Sequence, residues 1–150
     1  MKTLLSIFVL LLVAWGGQAF GQSNVTPKKI KGQFKYSAVF LCLNQQPFLQ
    51  DAIYQTLVSI RNPHSKSVTF TKMAVQTPPE GTFVGEVGVP KSERLGPDQG
   101  ITLDCDKILA ELLADASPAW PNGFVVIESP EELDVWVSYS RVTPPNPPPT

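Results

Sequence analysis

The sequence has few of the residues from which enzymes and metal proteins build their sites. It contains one histidine, His64, and two cysteines, Cys42 and Cys105, which lie too far apart for a CxxC motif. A copper site of two histidines, a cysteine and a methionine cannot be assembled from a single histidine. The glycines form no phosphate-binding loop ahead of a helix. We therefore expect a non-enzymatic protein with no metal and no cofactor.

Charged residues are also scarce, at 17% of the chain, and the formal net charge is −1. Binding to nucleic acid requires a clustered basic surface, which a chain of nearly balanced charge does not supply. The acidic residues gather at expected strand ends and turns, where solvated carboxylates and helix caps are ordinary. The spacing of Asp98, Asp104 and Asp106 is not that of an EF-hand loop. We therefore predict no nucleic-acid partner and no calcium site.

The sequence has one long hydrophobic run, and it lies near the first residue. Lys2 precedes an apolar stretch of about 12 residues, 4–15, which is shorter than the ~20 residues that a membrane-spanning helix needs. Small residues then stand at −3 and −1 of two cleavage points, after Ala19 and after Gly21. This order is typical of a cleaved secretory signal peptide over residues 1–21. We therefore expect a periplasmic, secreted or cell-surface protein without a transmembrane span.

In an exported chain the two cysteines meet conditions in which disulfides persist. Cys42 continues an alternating apolar row that starts at Phe34, and Cys105 continues the row of Ile101 and Leu103. Because alternate strand residues share a face, both cysteines extend rows that point into the core. We predict a Cys42–Cys105 disulfide that closes a loop of 64 residues and stabilises the fold by about 4 kcal/mol in the chain-entropy model. The alternative is a pair of buried free thiols.

Alternating apolar residues, separated by turn residues, predict roughly six or seven short strands. Residues 124–129 are apolar at both parities, so we expect them to form a central strand. The clearest patterns lie at 34–42, 54–61, 67–75, 101–105, 124–129 and 133–140, and a weaker one lies at 83–89.

The sequence between two of these strands is typical of a turn. Asn62-Pro63-His64-Ser65-Lys66 combines a proline, which fixes φ, with side chains that hydrogen-bond locally. We therefore predict a hairpin of the strands 54–61 and 67–75, with a solvated His64 in its turn. The apolar parity of the second strand changes after Phe70, which predicts a bulge or twist near Lys72.

Many short strands with one helix are typical of an all-β domain. An apolar stripe behind an aspartate cap predicts the helix at about residues 105–116. We predict an Ig-like antiparallel β-sandwich over residues 34–141, covered by this helix. The polar residues 22–33 are expected to form a flexible N-terminal arm, and the proline-rich residues 142–150 an extended tail. Either segment can become ordered on a partner.

Two tryptophans are the candidate contacts for a partner or ligand. Trp136 lies at the polar parity of the last strand, opposite an apolar row, and Trp120 lies in a loop between prolines. Exposed tryptophan can anchor a protein partner or stack on a sugar. The alternative is structural: Trp120 plugs one end of the sandwich, and Trp136 packs under the helix or under residues 76–97.

Four stretches carry a likeness to known proteins: Tyr36-Ser37-Ala38 through Cys42, Ile60-Arg61-Asn62-Pro63 followed by Val68-Thr69-Phe70, Leu95-Gly96-Pro97-Asp98 through Leu103-Asp104-Cys105, and Gly123–Ser129 with Leu133-Asp134-Val135. They resemble a group of small exported bacterial β-sandwich proteins of unassigned function, over about residues 34–141. More distantly, the strand order and turns resemble the sensory rhodopsin transducer family, which implies a binding protein rather than an enzyme. This likeness carries no site residue. The predicted signal peptide is a departure from it, because such transducers act in the cytoplasm.

These observations together predict an exported, non-enzymatic structural or accessory protein. We expect it to bind other proteins in the bacterial envelope or in an extracellular assembly. The alternative is a carbohydrate or small-ligand binding module that uses exposed tryptophans. The two hypotheses differ in what Trp120 and Trp136 would contact.

Overall fold

The computed structural model describes residues 20–42, 53–81, 84–113 and 121–142. Residues 1–19 of the expected signal peptide, Trp120 and the tail from residue 143 lie outside the described residues. Within them the chain forms strands, one α-helical turn and a π-helical turn. In chain order they are β1 Phe20–Asn24, β2 Lys28–Ile30, β3 Gln33–Leu41, β4 Ile53–Arg61, β5 Val68–Gln76, β6 Lys91–Leu95, β7 Gly100–Leu103, α1 Cys105–Lys107, the π turn Ile108–Leu112, β8 Asn122–Ser129 and β9 Asp134–Val142.

The strands form two antiparallel sheets around one core, which confirms the predicted all-β sandwich. Sheet A has the order β1-β9-β4-β7, and sheet B has the order β2-β3-β8-β5-β6. Strands of both sheets alternate buried and exposed residues, so that one face of each sheet is apolar and is buried against the other. The largest fully buried apolar side chains are Tyr36, Phe40, Phe70, Ile60, Leu103, Ile108, Leu112, Ile127, Val58, Val125 and Val137.

The core-facing rows that the sequence predicts are confirmed. In β3, Tyr36, Ala38 and Phe40 are buried, whereas Ser37 and Val39 are exposed. The segment that is apolar at both parities forms β8, which lies between β3 and β5 in the middle of sheet B. Alternation therefore orients these strands correctly, because a period of two places every second side chain in the core.

The predicted hairpin of strands 54–61 and 67–75 is wrong. β4 pairs with β9 and β7 in sheet A, whereas β5 pairs with β8 and β6 in sheet B. The connection after Arg61 therefore crosses from one sheet to the other. A turn pattern in the sequence does not specify which strand the chain will pair with next.

The fully buried Asn62 holds this crossing in place. Its Nδ2 donates to the carbonyl oxygens of Lys66 at 2.7 Å, Gly96 at 2.9 Å and Leu95 at 3.3 Å. Its Oδ1 accepts from the His64 backbone N–H at 3.0 Å. One side chain therefore joins the start of the crossing to its end and to the turn after β6.

The predicted bulge near Lys72 is also wrong, because β5 alternates regularly along its length. Lys72 takes the core-facing parity and is only 4% exposed. Its Nζ lies 3.1 Å from Glu93 Oε2 on β6. The change of apolar parity in the sequence therefore reflects a buried charge and not a break in the ladder of hydrogen bonds. The partner of that charge, Glu93, lies on β6, a strand that the sequence pattern does not predict.

The helix is shorter than the predicted range of about 105–116. Asp104 caps α1, since its Oδ1 accepts from the Lys107 N–H at 2.9 Å. The π turn follows, and Leu113 has extended dihedral angles that end the helical segment. Gly88 lies so close to this end that a Cβ there would stand 1.5 Å from the Leu112 carbonyl oxygen. The segment before β6 thus passes directly against the last turn of the helical segment.

Part of the segment expected to be a loose arm forms two short edge strands instead. β1 pairs with β9 at the edge of sheet A, and β2 pairs with β3 at the edge of sheet B. The side chains of residues 21–24 and 28–30 are exposed, so main-chain hydrogen bonds hold these strands. An edge strand of this kind needs no apolar alternation, and the sequence pattern therefore could not indicate it.

The buried Tyr36 hydroxyl accepts a hydrogen bond from the Leu133 backbone N–H at 2.6 Å and so joins β3 to the turn before β9. Burial raises the pKa of Tyr36 above its ordinary value, the Leu133 N–H lowers it, and Glu132 and Asp134 raise it further. Burial also raises the pKa of Tyr139. The folded chain therefore keeps these phenols protonated at a pH at which the unfolded chain begins to lose their protons.

Alkaline pH is expected to destabilise the fold through these two phenols. Because both folded pKa values lie above the unfolded value of about 10, their contribution is full below that pH and is lost as the pH rises through the folded values. Tyr36→Phe should lower the free energy of unfolding at neutral pH by about 1–3 kcal/mol, since it leaves the Leu133 N–H without its acceptor. It should also reduce the alkaline loss. Urea unfolding of both proteins between about pH 7 and 11 tests this, and an unchanged alkaline loss in Tyr36→Phe would contradict it.

Candidate functional site

The two cysteines form the predicted disulfide. Cys42 follows β3 of sheet B, Cys105 follows β7 of sheet A, and their Cα atoms lie 5.5 Å apart. The buried Thr56 lies next to the bond: its Oγ1 accepts from the Leu41 N–H at 2.9 Å, and its own N–H lies 3.4 Å from Cys105 Sγ. The bond links the two sheets and leaves no free thiol. It is compatible with an oxidising, exported location.

His64, expected to be solvated, is half-buried and also makes a hydrogen bond within the fold. Its Nε2 lies 2.6 Å from the Glu132 carbonyl oxygen, where the ring nitrogen donates the hydrogen bond. The crossing from β4 to β5 is thereby joined to the turn before β9. The sequence could not indicate this contact, because the two residues are 68 positions apart. The imidazole thus serves as a structural tether in this fold.

Several acidic residues are engaged as caps or in ion pairs. Lys35 Nζ lies 2.8 Å from Glu128 Oε1, and Arg61 lies 2.6 Å from Asp98 and 3.6 Å from Asp134. In the part of the chain that the structure describes, no three histidine, cysteine or acidic side chains gather as they would around a metal ion. These carboxylates therefore act on local structure and surface charge.

The outer face of sheet B carries a row of apolar side chains. Val39 on β3 pairs with Phe124 on β8, Phe124 pairs with Val75 on β5, and Val75 forms a bridge to Val87. Residues paired across antiparallel strands have side chains on the same face. Val39 is 48% exposed, Phe124 38% and Val87 64%. We call these four residues the apolar row.

Further apolar side chains extend the apolar row. On the same face, the next row pairs the half-buried Met73 with Val126, which is only 7% exposed, and Val89 is exposed just beyond Val87. One row farther on, the Lys35–Glu128 ion pair marks the polar border. The sequence indicates part of this apolar surface, since Val39 takes the outward parity and residues 124–129 are apolar at both parities. It did not show that β8 lies between β3 and β5, which is what joins the side chains into one surface.

Trp136 lies on the outer face of sheet A, where it is half-buried. It pairs with Asn24 on β1 and with Ser59 on β4, and Ser59 pairs with Thr102 on β7. The hydroxyl oxygens of Ser59 and Thr102 lie 3.2 Å apart. We call these four residues the tryptophan row. Trp120, the other candidate contact, lies outside the described residues.

A groove of about 270 Å³ borders Trp136. It lies where the chain leaving β1 passes the turn before β9, and its walls are the segments 24–27 and 132–136. The Val25 N–H donates to the Val135 carbonyl oxygen at 2.9 Å and joins these two segments. The described residues therefore offer two distinct surfaces, an apolar one on sheet B and a polar one with a single indole on sheet A.

Comparison of the chain with protein-family models, with curated proteins and with solved structures found no match. The resemblance to small exported bacterial β-sandwich proteins therefore stays a prediction. No helix in the described ranges has the length and apolar character needed to cross a membrane.

Proposed function

We propose that the chain is an exported, non-enzymatic accessory protein that binds another protein through the outer face of sheet B, in the bacterial envelope or in an extracellular assembly. The observation that carries this proposal is the apolar row across β3, β8, β5 and Val87. An exposed apolar patch with a polar border is typical of an interaction site. Phe124 lies inside the row and supplies the kind of aromatic anchor on which binding energy concentrates.

We expect a partner that binds this surface to present a matching strip of apolar side chains. The apolar row is one residue deep along each strand and crosses sheet B at right angles to the strands. A strand or helix laid across β3, β8 and β5 would cover the row and leave the Lys35–Glu128 pair at its rim, in contact with water. That division into an apolar centre and a polar rim is the ordinary anatomy of a protein interface.

Export is the second part of the proposal. The Cys42–Cys105 disulfide supports it, since such bonds persist in oxidising compartments. β1 starts at Phe20 and pairs Phe20 with Ser140. Of the two expected cleavage points, the one after Ala19 keeps all of β1 in the mature chain, and the one after Gly21 removes part of it. We therefore favour cleavage after Ala19.

The non-enzymatic part of the proposal is supported by the use the fold makes of its polar side chains. Thr56, Asn62 and His64 are engaged with backbone atoms of neighbouring segments. A general base or a nucleophile instead needs to reach a substrate that enters from solvent. Asn62 and His64 hold the crossing of the chain between the sheets, and Thr56 joins β4 to the end of β3 beside the disulfide.

The proposal predicts that polar substitutions in the apolar row abolish partner binding. Val39→Ser combined with Phe124→Ser should weaken binding by about 30-fold or more, the effect of losing an interface anchor worth about 2 kcal/mol. Both side chains are exposed, so the fold should persist. The measurement is cross-linking of the tagged, exported protein in intact cells, followed by titration of the purified partner.

Leu57→Ser is the matched control, because Leu57 is a similarly exposed aliphatic residue, at 42%, on the outer face of sheet A. It should bind the partner as the unmodified protein does. Equal loss in the control and in the double variant would overturn the proposal. So would a partner that the Val39→Ser, Phe124→Ser protein still captures, or the recovery of the unmodified protein alone.

A further inference from the structure

We propose that the outer face of sheet A is a second binding surface, which takes an uncharged polysaccharide chain laid across the strands over Trp136. The function proposed above uses sheet B and leaves Trp136 without a role. In a two-sheet sandwich the outer faces of the sheets point in opposite directions, so the two surfaces can be occupied together. The proposal rests on the composition of this face and on the groove beside it.

Three rows of paired side chains cross sheet A on its outer face. The first is the tryptophan row. The second joins Gln22, Ser138 and Leu57, and the third joins Ser140 and Gln55. Their side chains are hydroxyls, amides, one leucine and one indole, and none of the side chains in these described rows is charged.

This composition matches a sugar chain. A sugar ring has an apolar face of C–H groups, which can lie flat on an indole, and hydroxyls around its edge. Amide and hydroxyl side chains both donate and accept hydrogen bonds, so they can satisfy sugar hydroxyls in either role. Ser59, Ser138 and Asn24 surround Trp136 with such groups. Sheet A therefore presents one stacking platform inside a field of polar, uncharged partners.

The charges at the border of this face exclude an anionic polymer. Arg61 is the cation next to the tryptophan row, and it is held between Asp98 and Asp134. An anionic chain that reached Arg61 would meet both carboxylates as well. An uncharged chain meets no such repulsion.

The groove beside Trp136 gives the polysaccharide a second place to bind, next to the indole. Its volume of about 270 Å³ lies at the β1 end of the tryptophan row, against Asn24 and Thr26 on one wall and Glu132 on the other. A polysaccharide that crosses from Thr102 over Trp136 passes beside this depression, which lies next to Trp136 and Asn24 where β9 begins. The platform and the groove share Asn24 and Trp136, so one ligand can contact both.

The test is native gel electrophoresis of the full exported protein through gels that contain a polysaccharide. The uncharged probes are hydroxyethyl cellulose, xylan, laminarin and galactomannan, and the anionic probe is alginate. We expect at least one uncharged polysaccharide to retard the protein and alginate to leave it unaffected. Trp136→Ala should weaken the binding by about tenfold or more, the loss expected when a stacked aromatic ring is removed.

Two further variants keep the test independent of folding. Ser138→Arg leaves Trp136 in place but adds a bulky cation beside it, and it should abolish retardation while circular dichroism and the unfolding midpoint stay those of the parent protein. Phe124→Ser is the matched aromatic control on the opposite face, and it should leave retardation unchanged. Conversely, Trp136→Ala should still capture the protein partner of sheet B, so that each proposal can fail alone.

The outcomes that overturn the proposal are specific. They are the absence of retardation by every uncharged probe, retardation by alginate equal to that by the uncharged probes, and retardation that persists in Trp136→Ala and Ser138→Arg. Capture of a protein that is lost with Trp136→Ala would assign this face to a protein partner and would also overturn it. Retardation by an uncharged probe that both variants lose supports it.

Discussion

Replacement of Cys42 and Cys105 together by alanine is expected to lower the free energy of unfolding by about 4 kcal/mol. The bond joins residues 63 positions apart. Cutting it therefore releases a long loop whose freedom in the unfolded chain is the main quantity that a disulfide restricts. The loss falls on a small domain, for which total stabilities of about 5–15 kcal/mol are ordinary. Urea unfolding of the variant and of the parent protein, without reductant, measures the difference.

The position of the disulfide adds to this expectation. Cys42 is 5% exposed and continues the core row of β3, and Cys105 opens α1 beneath β4. The bond therefore holds the sheets together where Thr56 already joins β4 to Leu41. Reduction of the parent protein with dithiothreitol should reproduce the loss seen in the double variant. A variant within about 1 kcal/mol of the parent would show that core packing alone holds this end of the sandwich.

Much of the sandwich could be predicted because its main strands are amphipathic. The rows of β3 and β9, the central position of β8 and the disulfide all follow from alternation, since a buried face forces a period of two. The limits appear where a structure depends on distant partners. Lys72 breaks the apolar parity of β5 without breaking its ladder, because Glu93 on β6 neutralises it. The edge strands β1 and β2 have no buried face, so their sequences do not show the alternation of apolar and polar residues that predicts a strand.

For the candidate surfaces, too, some features follow from the local sequence pattern and others depend on residues far apart in the chain. The outward parity of Trp136 was visible in the sequence, because it depends on β9 alone. The neighbours of Trp136 were not, since Asn24 and Ser59 come from strands that precede it by 112 and 77 positions. The apolar row needs two strand pairings and one isolated bridge before it becomes one surface. Local pattern thus identifies which side chains face outward, and topology decides which of them form a site.

Asn62→Ala is expected to lower the free energy of unfolding by about 3 kcal/mol, which is large for one polar side chain. The side chain is fully buried, and its amide donates to carbonyl oxygens of Lys66, Leu95 and Gly96. Its removal leaves these acceptors, and the His64 N–H that binds Oδ1, without that partner at a buried or partly buried position. Each such group costs about 1–3 kcal/mol when buried unpaired, and partial relaxation recovers some of that cost.

Two further variants identify the donor role of Asn62. Asn62→Asp keeps an acceptor for the His64 N–H but removes the donors and places a carboxylate among carbonyl oxygens, so it should be at least as destabilising as Asn62→Ala. Ser59→Ala removes a hydroxyl that bonds Thr102 near the surface of the same strand, and it should change stability by less than about 0.5 kcal/mol. Unfolding curves for all three decide the matter. If Asn62→Ala were as mild as Ser59→Ala, the crossing between the sheets would be held by the backbone alone, through contacts such as the Asn62 N–H to the Gln99 carbonyl oxygen at 2.9 Å.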